Sequence, residues 1–301
     1  MLECRVGPLT LRSPLIAAAG TLGSVVDFSR VADLDAYGAA VAKSVAPEPW
    51  PGRDRPRMAP AGSGMLNGIG IQNGGIVEWG RTIGAGLSDL AVPVWGSAVA
   101  HEAEGFGLVA AGLEQAGVAA IEVNLSCPNL EDGTIFALDA ERSAGAVAAV
   151  RAATGLPIGA KLSPNAADIA GIASAVAAAG ADWVVLTNTV LGAGFDPVTR
   201  RPRLSGVVGG YSGPPLKPIA LRCVWEVART VPGLPIVGCG GITSGEDVVE
   251  YLLAGACAVQ IGTVHFAEPR AAVRIRRELT RFLEAQSVGR ISDLVGAAVP
   301  W

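Results

Sequence analysis

Eight short apolar runs recur along this chain, and each gives way to a helix-like segment. They are "PLIAAAG" (14–20), "AAVAKSVA" (39–46), "PVWGSAVA" (93–100), "AIEVNLSCP" (120–128), "PIGAKLSP" (157–164), "WVVLTNT" (183–189), "PIVGCGGI" (235–242) and "AVQIGTV" (258–264). They are too short for helices and rich in Val and Ile, which suits strands of a parallel sheet buried on both faces. Between them lie Ala- and Leu-rich stretches such as 138–153, 166–179 and 245–254. Eight such alternations in 301 residues predict an α/β fold, a single (β/α)8 TIM barrel spanning 1–301 as one domain. A doubly wound open sheet is the alternative. The early "RVGPLTLR" reads as a short N-terminal hairpin plugging the barrel bottom. Two connections are long, 47–75 after strand two and 190–217 after strand six, and long loops on a barrel are usually functional.

Composition removes several function classes. Half of the residues are hydrophobic, enough for a large core, and the net charge of −4 comes with no basic block that would meet nucleic acid. The five cysteines (Cys4, Cys127, Cys223, Cys239, Cys257) are odd in number and form no CxxC pair. That points to a reducing cytosol, without a disulfide framework or a self-contained iron–sulfur site. Cys223, Cys239 and Cys257 are expected to serve packing. Two histidines, His101 and His265, leave no histidine-rich zinc site. His265 is expected to be packed or solvent-facing, and no metal is expected. The N-terminal "MLECRVGPLTLRSP" lacks the apolar core of a signal peptide, and no apolar run is long enough to cross a bilayer. A cytoplasmic protein is expected, with no membrane partner.

In such a barrel the chemistry lies at the C-terminal ends of the strands. The polar residues there are Lys43 and Ser44, Ser97, the group Asn124, Ser126 and Cys127, then Lys161 and Ser163, then Thr187, Asn188 and Thr189. A barrel interior favours branched apolar side chains, so two lysines and several amides need an anionic or hydrogen-bonding occupant. After strands seven and eight, "CGG" (239–241) and "GT" (262–263) expose backbone N–H groups, with a hydroxyl from Thr263, as a phosphate grip. "GIGIQNG" (68–74) has one residue too many for a dinucleotide fingerprint and follows a loop. A phosphate-bearing cofactor beside lysines is the result. Flavin mononucleotide fits, because a lysine beside the N1–C2 edge stabilises the reduced anion. Pyridoxal phosphate or a phosphosugar, with Lys161 or Lys43 as Schiff base or electrophile, remains open.

The segments "KS" (43–44), "MLNGIGIQNGG" (65–75), "NLSCPN" (124–129), "KLSPN" (161–165), "TNT" (187–189), "GGYSGPPLKPIALR" (209–222) and "GCGGI" (238–242) occur in order. Together they resemble the class 1 dihydroorotate dehydrogenases over almost the whole chain. "SGPPLKPIALR" and the N-terminal "PLIAAAGTLG" resemble most the catalytic subunit of the NAD-linked subclass 1B. The resemblance implies that Cys127 is the base that takes a proton from C5 of dihydroorotate while the flavin accepts hydride from C6. A thiol with a pKa near about 8.5 suits that role when its neighbours favour the thiolate. It implies further that Asn67, Asn124, Asn129 and Asn188, helped by Thr189, read the alternating carbonyl and N–H groups of the pyrimidine, since each amide offers a donor and an acceptor. Lys43 would lie between substrate and flavin, and Lys161 beside the flavin ring. Thr21, Ser44, Ser97, Asn124, Thr187, Gly213, Gly240, Gly241, Gly262 and Thr263 would complete the FMN site.

The chain departs from the family pattern in three places. Ser97 stands where asparagine is usual at a flavin contact, "QNGG" replaces "QNPG", and Tyr211 stands where leucine is common. A dihydropyrimidine dehydrogenase-like enzyme is an alternative, but its related loop has histidine after Cys-Pro where this chain has Asn129. A Schiff-base aldolase or phosphosugar barrel and a non-catalytic binding barrel are alternatives of other classes. Subclass 1B also implies a homodimer inside a heterotetramer, with FAD and a 2Fe–2S centre on a second subunit that passes electrons to NAD. Fumarate would be the acceptor in subclass 1A.

Overall fold

A computed structural model describes residues 1–125 and 136–299. Eight strands close into a parallel barrel. To number them in chain order, the N-terminal hairpin comes first, as β1 (Cys4–Val6) and β2 (Leu9–Leu11). The barrel begins with β3 (Leu15–Ala17) and β4 (Ala39–Val41). Two strands outside it follow, β5 (Met58–Ala61) and β6 (Gly64–Asn67). The barrel resumes with β7 (Val94–Ala98), β8 (Ala120–Asn124), β9 (Ile158–Leu162) and β10 (Trp183–Leu186). Then come β11 (Val190–Ala193) and β12 (Val208–Ser212), again outside, and finally β13 (Ile236–Cys239) and β14 (Ala258–Ile261). Around the barrel run β3-β4-β7-β8-β9-β10-β13-β14, closed by the pairing of β14 with β3. These are the eight apolar runs of the sequence, and the open-sheet alternative is excluded.

Their residues are buried almost without exception, because side chains fill the barrel on one face and meet helices on the other. Inside, Trp95 and Trp183 pack with ring centroids 4.9 Å apart. Gly159 makes room for them, since a Cβ there would lie 2.2 Å from the Trp183 indole nitrogen. The outer layer holds α1 (Gly75–Thr82), α2 (Ala103–Gln115), α3 (Ala140–Ala153), α4 (Ile169–Ala178), α5 (Lys217–Thr230), α6 (Gly245–Ala254) and α7 (Ala271–Ala285). Their starts carry the expected caps. Asp139 and Asp168 accept from backbone N–H groups in the first turns of α3 and α4, and Ser244 with Asp247 forms a capping box on α6.

The hairpin lies at the N-terminal end of the barrel. Its turn residue Gly7 sits against Asp182, immediately before β10. The two long connections are not simple loops. They supply β5, β6, β11 and β12, which form a four-stranded antiparallel sheet in the order β11-β12-β6-β5. Asn67 in this sheet pairs with Gly210, so a strand from one connection is zipped to a strand from the other. The sheet forms part of the wall above the C-terminal strand ends, which places Met58, Met65 and Asn67 at the cavity described next.

Candidate active site

A cavity of about 670 Å³ opens at the C-terminal ends of the barrel strands. It falls within the roughly 300–1,000 Å³ typical of cofactor and ligand sites. Lys43, Ser44, Asn124, Lys161, Thr187, Asn188 and Thr189 reach it from β4, β8, β9 and β10 or the residues after them. Asn67 and Gly213 come from the antiparallel sheet and the turn that follows it. Thr21, Gly240, Gly241, Gly262 and Thr263 line it from the turns after β3, β13 and β14.

Of the remaining anticipated residues, Ser97 does not line the cavity. It is fully buried behind Ser44, with the two hydroxyl oxygens 2.8 Å apart, where it supports Ser44. A serine reaches less far than the asparagine expected at that strand end. Cys127 and Asn129 lie outside the described residues.

The amides are already oriented. Asn124 donates through Nδ2 to Ser44 Oγ at 3.1 Å, and Asn67 donates to the Gly210 carbonyl at 3.3 Å. Asn188 accepts from the Thr189 backbone N–H at 2.8 Å. Lys43 runs beneath Gly20, where a Cβ would stand 3.2 Å from its Cδ.

The turns after β13 and β14 leave their backbone bare. Gly240 and Gly241 have φ of +139° and +69°, which side chains rarely tolerate. Asp247 fixes the first turn by accepting from the backbone N–H groups of Thr243 and Ser244, at 2.7 and 2.9 Å, and from Lys217 Nζ at 2.6 Å. Burial alone would raise the Asp247 pKa; the Lys217 ammonium and the Thr243 contacts outweigh it, so the carboxyl stays below its ordinary value. Under the second turn, His265 is 2% exposed, with Nδ1 2.9 Å from Thr21 Oγ1 and Nε2 2.9 Å from the Tyr37 hydroxyl. Thr21 Oγ1 donates to the Ala18 carbonyl, so it accepts from Nδ1–H, and Nε2 accepts from Tyr37. Burial lowers the His265 pKa to about 4, so the ring is neutral.

Among the lining residues that the sequence does not single out are Glu122 and Gln260, and Cys239, expected to serve packing, also lines the cavity. Lys161 Nζ donates to Gln260 Oε1 at 2.8 Å, Gln260 Nε2 donates to Glu122 Oε2, and Lys161 Nζ lies 3.8 Å from Glu122 Oε1. Burial pulls the Lys161 pKa down, Cys239 and Glu122 push it up, and the net direction is up. Burial drives the Cys239 thiol above its ordinary value, so this cysteine is neutral and serves the cavity wall as well as packing.

A phosphate-bearing flavin fits this arrangement. Gly240, Gly241 and Gly262 present backbone without a side chain, with Thr263 beside them, and the polar cluster around Lys161 offers a cation with a buried carboxylate oxygen, Glu122 Oε1, that has no hydrogen-bond partner among the described residues.

A closed parallel barrel with a polar, two-lysine cavity at its C-terminal end has the layout of a TIM-barrel enzyme. Comparison supplies the family. The Dihydroorotate dehydrogenase family model matches residues 1–283. The catalytic subunit of dihydroorotate dehydrogenase B (NAD(+)) from Geobacter sp. (strain M21) is 42% identical over 294 residues, covering 97% of this chain and 96% of the relative. The subunit of the same name from Pelobacter propionicus is 43% identical over 291 residues (96% and 95%). That from Desulforamulus reducens is 41% identical over 299 residues (99% and 98%). The chain belongs to the dihydroorotate dehydrogenase family, and with that to the flavin-dependent oxidoreductases. No helix among the described residues is long and apolar enough to cross a membrane.

Proposed function

We propose that the chain, as one domain over 1–301, oxidises dihydroorotate to orotate with FMN as its flavin, as a step of pyrimidine synthesis. The observation that carries this reading is the convergence of Lys43, Lys161, Asn67, Asn124 and Asn188 on one cavity beside two bare glycine turns. FMN, when bound, supplies the hydride acceptor. The turns at 240–241 and 262–263, with Thr21, Ser44, Thr187 and Gly213, hold its phosphate and ribityl end and its ring. Lys161 places a positive charge at the ring. Asn67, Asn124, Asn188 and Asn129, with Thr189, orient the pyrimidine, each amide matching a carbonyl with a donor and an N–H with an acceptor. Lys43 holds the anionic substrate against the flavin. Cys127 takes the C5 proton.

Mass spectrometry of the heat-released cofactor tests the first part. One FMN per chain is expected, and FAD, pyridoxal phosphate or no cofactor after reconstitution refutes it. Cys127→Ala is expected to stay yellow and to lose flavin reduction by dihydroorotate, whereas Cys127→Ser keeps a slow, alkaline-shifted remnant. General-base participation is worth about 10²–10⁴-fold, so reduction at the wild-type rate in the alanine variant removes Cys127 from the role.

The relatives are named catalytic subunits of an NAD(+) enzyme. Accordingly the chain is read as a cytoplasmic homodimer at the centre of a heterotetramer, its electrons leaving through FAD and a 2Fe–2S centre on a second subunit. Alone it should reduce its flavin with dihydroorotate but pass electrons poorly to NAD. Stopped-flow mixing with NAD, with and without a candidate second subunit, decides this. Rapid NAD reduction by the chain alone sinks the two-subunit reading, and rapid turnover with fumarate alone moves it to subclass 1A.

A further inference from the structure

Lys161 sits on β9 at 5% exposure, Glu122 on β8 at 0% and Gln260 on β14 at 1%. A solitary lysine so placed would give up its proton, since fully buried lysines titrate as low as about pH 5–6. Two neighbours, Cys239 and Glu122, oppose that. The Glu122 carboxylate approaches Nζ to 3.8 Å, and Gln260 bridges the two side chains. The bridge has only one workable orientation. An ammonium offers donors alone and a carboxylate acceptors alone, so the Gln260 carbonyl must face Lys161 and its NH₂ must face Glu122. Among the described residues, the other titratable group facing Lys161 is Cys239 on β13, and the cavity's other cation is Lys43 on the far side of β8, beyond β7.

We propose that Glu122 and Gln260 are positioning residues that hold Lys161 charged and aimed at the flavin ring. This rests on the flavin reading above. Glu122 does not touch the reacting atoms in this proposal. It acts through Lys161, because a cation beside the ring favours the reduced, anionic flavin over the oxidised one. Without the carboxylate, the ammonium loses its compensation and with it the differential grip on reduced flavin. Gln260 sets direction rather than charge, so its loss is milder.

The chain contains three lysines, Lys43, Lys161 and Lys217, so NMR of ¹³Cε-labelled lysine resolves each one. Lys161→Met assigns the signal. In the wild-type chain the Lys161 signal should stay that of an ammonium up to about pH 10, near or above the ordinary lysine value. In Glu122→Gln it should titrate at least two pH units lower. In parallel, the ratio of Kd values for oxidised and reduced FMN should fall at least tenfold in Glu122→Gln at pH 9 and recover toward wild type at pH 6. Glu122→Asp should restore part of the ratio. A purely packing role for Glu122 would weaken both forms of FMN equally and leave Lys161 charged, and that result overturns the proposal. Gln260→Met keeps the charge pair, so it should leave the Lys161 titration within one unit of wild type while lowering the Kd ratio. If Glu122→Gln does not fold, Glu122→Asp carries the test, its Lys161 signal expected to titrate below wild type, and an unchanged titration there overturns the proposal. Failure of the wild-type chain to bind FMN would refute the functional reading separately, because the lysine titration is read without cofactor.

Discussion

Lys161, Gln260 and Glu122 are buried at the cavity as charges joined by an amide, whereas the buried His265 and Tyr37, with half-buried Thr21, stand beside the Gly262 turn as neutral groups joined by hydroxyls. Both clusters leave water to line one functional space, and they meet the cost differently. The charged cluster survives because each ion compensates the other, so its members stand or fall as a pair. The neutral cluster survives because every ring nitrogen and hydroxyl finds a complementary partner and the ring stays unprotonated. The first supplies an electric field to the cavity. The second supplies a rigid floor to the turn at 262–263 and adds no charge to the place where a phosphate would bind.

The largest difference should appear when one member of the charged pair is removed. Glu122→Leu strands the Lys161 ammonium or forces it to deprotonate, and breaking a buried pair in this way costs about 3–5 kcal/mol. The double variant Glu122→Leu/Lys161→Met removes both charges and should recover most of that loss, since a well-packed apolar replacement of a buried pair is often neutral. Urea unfolding of the cofactor-free chain measures both. Equal losses in the single and double variants would show that the cluster is held by shape instead of charge, and the contrast with the neutral cluster would disappear.

The neutral cluster should reveal itself through pH. The folded pKa of His265 lies near 4, against 6.5 for an unperturbed ring. Between those values the unfolded chain binds a proton that the folded chain does not, so stability rises with pH across that window. The full contribution is present above pH 6.5 and is lost on the way down to pH 4. At about 1.4 kcal/mol per pH unit the loss is about 3 kcal/mol. Asp247, whose pKa is lowered by Lys217 and the Thr243 contacts against the effect of burial, loses its stabilisation only in stronger acid, below its ordinary value of 3.8. The two limbs are therefore separable. His265→Gln should flatten the upper limb and leave the lower one; an unchanged slope between pH 6.5 and 4 would mean that the ring already accepts a proton in the fold.

These clusters also mark the boundary of what the sequence discloses. The barrel strands are legible because burial on both faces imposes unbroken apolar runs, and the glycines at 240–241 and 262 announce bare turns. The antiparallel sheet is not legible. "MAPA" at 58–61 carries a proline and "VGGYS" at 208–212 two glycines; the first pairs only with the neighbouring β6, and the second joins it through a partner far away in sequence, as in the contact between Asn67 and Gly210, which are 143 residues apart. Glu122 and Gln260 do not stand out because both lie within strands, not at the strand ends. "IEVN" nevertheless holds the signal. A carboxylate in a buried run is too costly to leave unpaired, and so it implies a cation close by, which Lys161 on the adjacent strand supplies. Cys127 and Asn129, outside the described residues, owe their roles to family resemblance alone.

The smallest effect separates the clusters most cleanly. Tyr37→Phe removes the hydroxyl that donates to His265 Nε2 and leaves that nitrogen buried without a donor. The loss should be about 1–3 kcal/mol, the cost of an unsatisfied buried group. No charge changes, so the preference of the site for reduced over oxidised FMN should remain as in wild type even while stability falls. Lys161→Met should do the reverse to that preference, lowering it at every pH below the lysine's own titration. Thermal unfolding of Tyr37→Phe and the two FMN dissociation constants, measured on the same preparation, test the point. A shift in the FMN ratio caused by Tyr37→Phe would mean that the histidine cluster also sets the field in the cavity, because Nε2, freed of its donor, would be able to take up a proton beside the phosphate turn.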